Sequence, residues 1–283
     1  MHKGVRMKVI VFSDLHYGAT SNVSNIFSKR KSGHLSMVVG ESLVKRINEI
    51  NSDIVVNLGD TIESSIFHSN EFGTVSESDF KNIEKNDKKD LSEIMGVLNK
   101  IKAPLFSVIG NHELVAIERN EVSKIMGHKK PTFSINLNDH HFVFLGVAKG
   151  RILPAEDLMW LEKDIKGNKF PSLYFIHYGV AEDDMQGNWW SENNKNFNPL
   201  LENRDELKKI LKTDKNLLGV FCGHQHWTKT IVEDGITYFV IGSLVEDMLG
   251  DGKPEGIFLE VDIKKGALHA ITRKLGEYTE KPS

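Results

Sequence analysis

Five short apolar runs, rich in β-branched residues, each run into residue types that ligate metal. Lys8 to Ser13 (KVIVFS) leads into Asp14-Leu15-His16, and Asp53 to Leu58 (DIVVNL) into Gly59-Asp60. Pro104 to Ile109 (PLFSVI) leads into Gly110-Asn111-His112-Glu113. Ser172 to Ile176 (SLYFI) stops at His177, and Leu217 to Cys222 (LLGVFC) at Gly223-His224-Gln225-His226. Continuous apolar runs of this length belong to strands covered on both faces. Ligands of open α/β sheets gather beyond the carboxyl ends of the strands, so the five ends should converge in one crevice.

Amphipathic helical patterns separate several of these runs. Ser36 to Ile50 spaces Val39, Leu43, Ile47 and Ile50 for one buried stripe, and Leu91 to Ile101 repeats the pattern. Ala155 to Ile165 follows Pro154, a good first-turn residue, and Glu202 to Leu211 gives a further helix. Such alternation implies right-handed crossovers and largely parallel pairing. Later segments instead read as hairpin strands: Thr132 to Leu137, His141 to Leu145, Lys229 to Val232, Thr237 to Ile241, Gly256 to Val261 and Ala267 to Ile271. Asn138-Asp139 and Asp234-Gly235 are suitable turn pairs. The predicted fold class is α/β: two facing mixed β-sheets flanked by helices, a four-layer α/β/β/α sandwich in one domain over residues 1–283. Surface insertions are expected near 19–33, 69–89 and 181–198.

Composition narrows the function classes. With 283 residues, 40% of them hydrophobic, the chain can bury a core without disulfides. Its single cysteine, Cys222, excludes both a framework of bridges and a cysteine-based zinc site. A formal charge of -3 argues against a protein that grips nucleic acid through many phosphates. The N-terminal stretch Met1 to Met7 shows no signal h-region and no run approaches the length of a membrane span, so a cytoplasmic protein is expected.

Taken together, Asp14-Leu15-His16, Gly59-Asp60, Gly110-Asn111-His112-Glu113, His177 and Gly223-His224-Gln225-His226 resemble the five ordered motifs of the calcineurin-like metallophosphoesterase superfamily. Each motif alone is weak; the ordered set from Asp14 to His226 is specific. The resemblance implies that Asp14, His16, Asp60 and His226 hold one metal ion. It implies that Asp60, Asn111, His177 and His224 hold a second, with Asp60 bridging. Two divalent or trivalent ions (Mn, Fe or Zn) suit oxygen and imidazole donors. The implied reaction is hydrolysis of a small-molecule phosphate ester, with a phosphodiester expected, by in-line attack of a metal-bridging hydroxide. His112 takes the role of general acid toward the leaving alkoxide.

Gly59-Asp60 continues as Thr61-Ile62-Glu63-Ser64, without the arginine of the phosphoprotein-phosphatase pattern. It also lacks the tyrosine of purple acid phosphatases, although Leu153 to Ile165 resembles a helix of that branch and of cyclic-nucleotide phosphodiesterases. The acid that orients the histidine in some members corresponds to Glu63, one carbon longer than aspartate. The alternatives are a phosphomonoesterase, or a partner-docking protein that has lost catalysis on the same fold. Partners are expected to be small molecules, not nucleic acid or membrane, with a homo-oligomer left open. Lys29-Arg30-Lys31 reads as a solvated charge run, and Trp189-Trp190 as the packing of their own loop.

Overall fold

The computed structural model describes residues 6–18, 30–68, 76–264 and 266–276. Strands β1 (Met7–Phe12), β2 (Ile54–Asn57) and β3 (Leu105–Ser107) pair in parallel. β10 (Ile257–Lys264) joins β1 antiparallel, and β11 (Ala267–Lys274) closes that edge, giving a five-stranded sheet in the order β11-β10-β1-β2-β3. The second sheet contains β4 (Phe133–Leu137), β5 (His140–Leu145), β6 (Ser172–Ile176), β7 (Leu217–Cys222), β8 (Lys229–Glu233) and β9 (Ile236–Val240). Its order is β4-β5-β6-β7-β9-β8, with parallel pairing at its centre and antiparallel hairpins at both edges. The mixed pairing and two sheets match the architecture expected from the sequence.

Period-two alternation decides what each strand buries. Val9, Val11, Ile54 and Val56 share one core with Phe142, Phe144, Phe175 and Phe221 of the other sheet. Their neighbours Ile10, Phe12 and Val55 belong instead to an apolar cluster with Leu43 and Ile47 of helix α1 (Ser36–Ile50). That cluster includes Ile94 and Leu98 of helix α2 (Glu77–Leu98). Helices α4 (Ala155–Gly167) and α6 (Arg204–Leu211) contribute Leu158, Leu161, Leu207 and Leu211 to it, beside Val143, Tyr174 and Ile176. No helix among the described residues is long and apolar enough to cross a membrane.

A row of phenylalanines pins the register of the second sheet. Phe133, Phe144, Phe175, Phe221 and Phe239 are successive cross-strand partners on β4, β5, β6, β7 and β9. Their rings stack at centroid separations of 4.8, 5.3, 5.2 and 4.9 Å. A one-residue slip would send every ring to the opposite face, so the register is strongly specified. It sets His177 and Gly223, two residues beyond Phe175 and Phe221, at one level. Period two also keeps His177 on the face turned to the first sheet.

Two stretches differ from the sequence reading. Residues 77–89, expected within a surface insertion, form the first half of the 22-residue helix α2. Ser76 caps it by accepting from Asp79 N, and the ion pairs Glu77–Lys81 and Glu84–Lys88 run along its exposed side. A short helix α3 (Arg119–Ile125), unforeseen in the sequence, lies between β3 and β4. In the expected insertion 181–198, residues Trp189–Asn193 form helix α5, which buries Trp190. Of the 19–33 stretch, residues 19–29 lie outside the described residues.

Candidate metal centre

The loops after β1 and β2 are zipped together by backbone hydrogen bonds. Asp14 N donates to Gly59 O (3.0 Å), His16 N to Asp60 O (3.0 Å) and Tyr17 N to Thr61 O (2.9 Å). The loop after β3 joins them through His112 N, which donates to Asp60 Oδ1 at 2.9 Å. From the other sheet, His224 N donates to Asp14 Oδ2 at 3.1 Å. These approaches require glycine: a Cβ on Gly110 would meet Asp60 Oδ1 at 2.2 Å, and one on Gly223 would meet Ser13 Oγ at 2.0 Å. Asp14, His16, Asp60, His224 and His226 all have φ between 48° and 64°, in the left-handed region. Non-glycine residues hold such angles at a cost of about 1–3 kcal/mol each, and they concentrate where side chains must be aimed.

All eight residues singled out in the sequence come together. Asp14, His16 and His226 form one group of ligand-type atoms, and Asp60, His177 and His224 form another. A third group, His16, Asp60 and His112, overlaps both, so Asp60 stands between the two sides. His16 Nε2 and His226 Nε2 face each other at 3.0 Å, and Asp14 Oδ1 lies 3.7 and 3.4 Å from them. On the other side, His177 Nε2 lies 3.3 Å from Asp60 Oδ2 and 3.1 Å from Asn111 Oδ1.

The outer ring nitrogens are held from behind. His177 Nδ1 is 2.9 Å from Leu58 O, His16 Nδ1 is 2.7 Å from Glu63 Oε2, and His226 Nδ1 is 2.7 Å from Glu246 Oε2. A proton on Nδ1 in each ring leaves Nε2 directed into the cluster, the usual support of a metal-ligating histidine. His224 is turned the other way, with Nε2 3.3 Å from Asn198 O, which leaves Nδ1 for the cluster. His112 is partly exposed, with its Nε2 3.7 Å from Asp60 Oδ2 and its Nδ1 3.5 Å from Glu63 Oε2.

The electrostatics call for cations. Asp14 Oδ1 is fully buried and accepts no hydrogen bond, a costly state for a carboxylate oxygen. Burial opposes charge on Asp60, but the imidazoles of His177 and His112 override it and hold the carboxyl well below its ordinary range. Burial likewise opposes charge on His177 and His226. Asp60 raises the former to about 9 and Asp14 raises the latter to about 9. Burial pushes His16 and His224 down to about 3, with Lys31 and His177 adding to the respective shifts. Without ions, two protonated imidazoles thus neutralise the carboxylates, and bound cations would displace those protons. The donor set fits two metal ions.

The match to known proteins agrees with this geometry. The family model described as calcineurin-like phosphoesterase matches residues 7–228. This chain belongs to the calcineurin-like phosphoesterase family. A probable cyclic nucleotide phosphodiesterase of Fibrobacter succinogenes is 25% identical over 154 residues, 54% of this chain and 57% of that relative. The chain therefore matches just over half of the relative's length. A dimetal phosphatase from Danio rerio superposes with a TM-score of 0.67 at 14% identity, covering 96% of this chain and 99% of that one. A purple acid phosphatase from yellow lupin gives 0.61 at 12% identity, covering 98% of this chain and 52% of that one. At such identities these two likenesses establish the shared fold.

Several contacts around the centre had no signal in the sequence. Glu246 belongs to no motif and follows His226 by 20 residues, yet backs its ring. Arg30 and Lys31, read as a solvated run, have side chains only 17% and 12% exposed and reach Glu246 and Glu63. Trp190 donates its Nε1 to Glu246, so it braces the centre as well as packing its own loop. Glu63 does reach the histidines, but stands closer to His16 than to His112.

Proposed function

We propose that this phosphoesterase hydrolyses a small-molecule phosphodiester, using two ions drawn from manganese, iron or zinc. Asp14, His16, Asp60 and His226 would hold one ion, and Asp60, Asn111, His177 and His224 the other. The observation that carries this reading is the convergence of imidazole nitrogens on a buried cluster where Asp14 Oδ1 accepts no hydrogen bond. When bound, two such ions supply Lewis acidity toward the phosphoryl oxygens and an activated water.

The remaining steps fall to the chain's own groups. Asp60 reaches both sides, so its carboxylate offsets positive charge on each. Asn111 adds a neutral amide oxygen, which leaves the ions more electrophilic than another carboxylate would. His112 sits at the partly exposed mouth of the cluster, braced by its backbone bond to Asp60, where a leaving oxygen can reach it. It delivers the proton to that oxygen as the ester bond breaks. The likeness to a probable cyclic nucleotide phosphodiesterase supports a diester over a monoester.

Elemental analysis of the purified protein, paired with turnover of bis-p-nitrophenyl and p-nitrophenyl phosphate after Mn²⁺ addition, tests the reading. About two ions per chain with faster diester than monoester turnover is the expected result. Two ions with the opposite preference would make it a phosphomonoesterase. Failure to take up metal or turn over either ester would leave a docking protein on this fold.

A further inference from the structure

The segment that carries Arg30 and Lys31 is fastened across the His16–His226 side of the centre. Asp247 N donates to Arg30 O and Ser32 N to Val245 O, both at 2.8 Å, around an antiparallel bridge between Lys31 and Glu246. Arg30 Nε donates to Glu246 Oε1 at 2.8 Å, while Oε2 of the same carboxylate lies 2.7 Å from His226 Nδ1. Lys31 Nζ donates to Glu63 Oε2 at 2.9 Å, and that same oxygen lies 2.7 Å from His16 Nδ1. Two consecutive cations therefore each hold the carboxylate behind one imidazole of a single group. The arginine guanidinium also lies 5.1 Å from the ring centre of Trp189, and the lysine ammonium 5.3 Å from that of Trp190.

A buried carboxylate behind a histidine has two ways to relieve its charge. It can draw the imidazole proton toward itself, or it can pair with a fixed cation. Pairing keeps the carboxylate in one place and limits its basicity, so the imidazole keeps one orientation. Neither cation contacts Asp60, His177 or His224 through any described hydrogen bond or ion pair. We propose that Arg30 and Lys31 are positioning residues, a clamp that fixes Glu246 and Glu63 and thereby sets metal affinity at the Asp14–His16–His226 side alone. The inference rests on the two-ion reading above.

Calorimetric Mn²⁺ titration of the chelator-stripped full chain tests it, alongside the electron paramagnetic resonance of the bound ions. In Arg30→Gln and Lys31→Gln, one of two binding steps should weaken about 10- to 100-fold while the other holds. Isolated Mn²⁺ signals should then replace the coupled pair at limiting metal. Lys31→Arg should restore most of the lost affinity. Unchanged binding in both glutamine variants, beside a wild type that takes two ions, would overturn the clamp. Equal weakening of both steps would overturn it as well, as the mark of a merely structural role. A wild type that binds no Mn²⁺ would overturn the two-ion reading itself. Should a variant fail to fold, Glu246→Gln breaks the same pairing from the carboxylate side and carries the same expectations.

Discussion

Glu113 closes the Gly110–Glu113 motif without offering itself to an ion; it is spent on the backbone. Its Oε1 accepts from Thr61 N at 2.5 Å, and its Oε2 from Gly110 N at 2.9 Å and Asp60 N at 3.2 Å. One fully buried carboxylate thus ties the loop after β2 to the loop after β3, with Asp60 between them. Burial, reinforced by the charge of Asp60, pushes this carboxyl up to about 7 against the pull of those donors. Glu113→Ala would strand three buried N–H groups, each at about 1–3 kcal/mol. Its unfolding in urea is expected to show a loss of at least about 3 kcal/mol, and Glu113→Gln, with one acceptor oxygen, should fall between. An alanine variant as stable as the parent would remove Glu113 from this bracing role.

At the scale of elements, what the sequence disclosed was what each element buries. Strands covered on both faces leave continuous apolar runs, so β1, β2, β6 and β7 were legible together with the polar residues at their ends. The first half of α2 buries little, so its charges resembled a loop; only their spacing of four marks a helix. Arg30 and Lys31 were illegible because their partners lie 216 and 32 residues away, respectively, and composition carries no such pairing. His128, just beyond α3, shows the same limit. Its Nε2 accepts from Ser107 N at 3.0 Å, and its ring lies against Phe106 and Phe133. Burial pushes this imidazole from 6.5 down to about 4. The unfolded chain therefore takes the proton first, so the contribution is whole above pH 6.5 and is lost as pH falls toward 4. At most about 3 kcal/mol is at stake, and His128→Gln should flatten that part of the stability–pH curve. Identical slopes for the two proteins in urea titrations across this range would refute the assignment.

For the molecule as a whole, the centre is a seam. Asp14, His16, Asp60 and Asn111 follow strands of the five-stranded sheet; His177, His224 and His226 follow strands of the six-stranded one. Ions held by both sets would join the sheets at one end, as the phenylalanine row and the facing valines join them in the interior. Each site filled to a hundred times its dissociation constant adds about 2.7 kcal/mol to the folded state. Stripping two ions should therefore lower the unfolding temperature by roughly ten degrees. The size of that drop should depend on pH. In the stripped protein His177 and His226 stand at about 9 instead of 6.5, so their protons favour the folded state. That contribution is whole below pH 6.5 and fades as pH rises through 9, leaving Asp14 and Asp60 uncompensated. In the loaded protein the ions keep those carboxylates neutralised, so the gap between loaded and stripped melting temperatures should widen from pH 6.5 to pH 9. Scanning calorimetry with and without chelator at both ends of this range measures it, and a constant gap would mean that protons do not stand in for the ions.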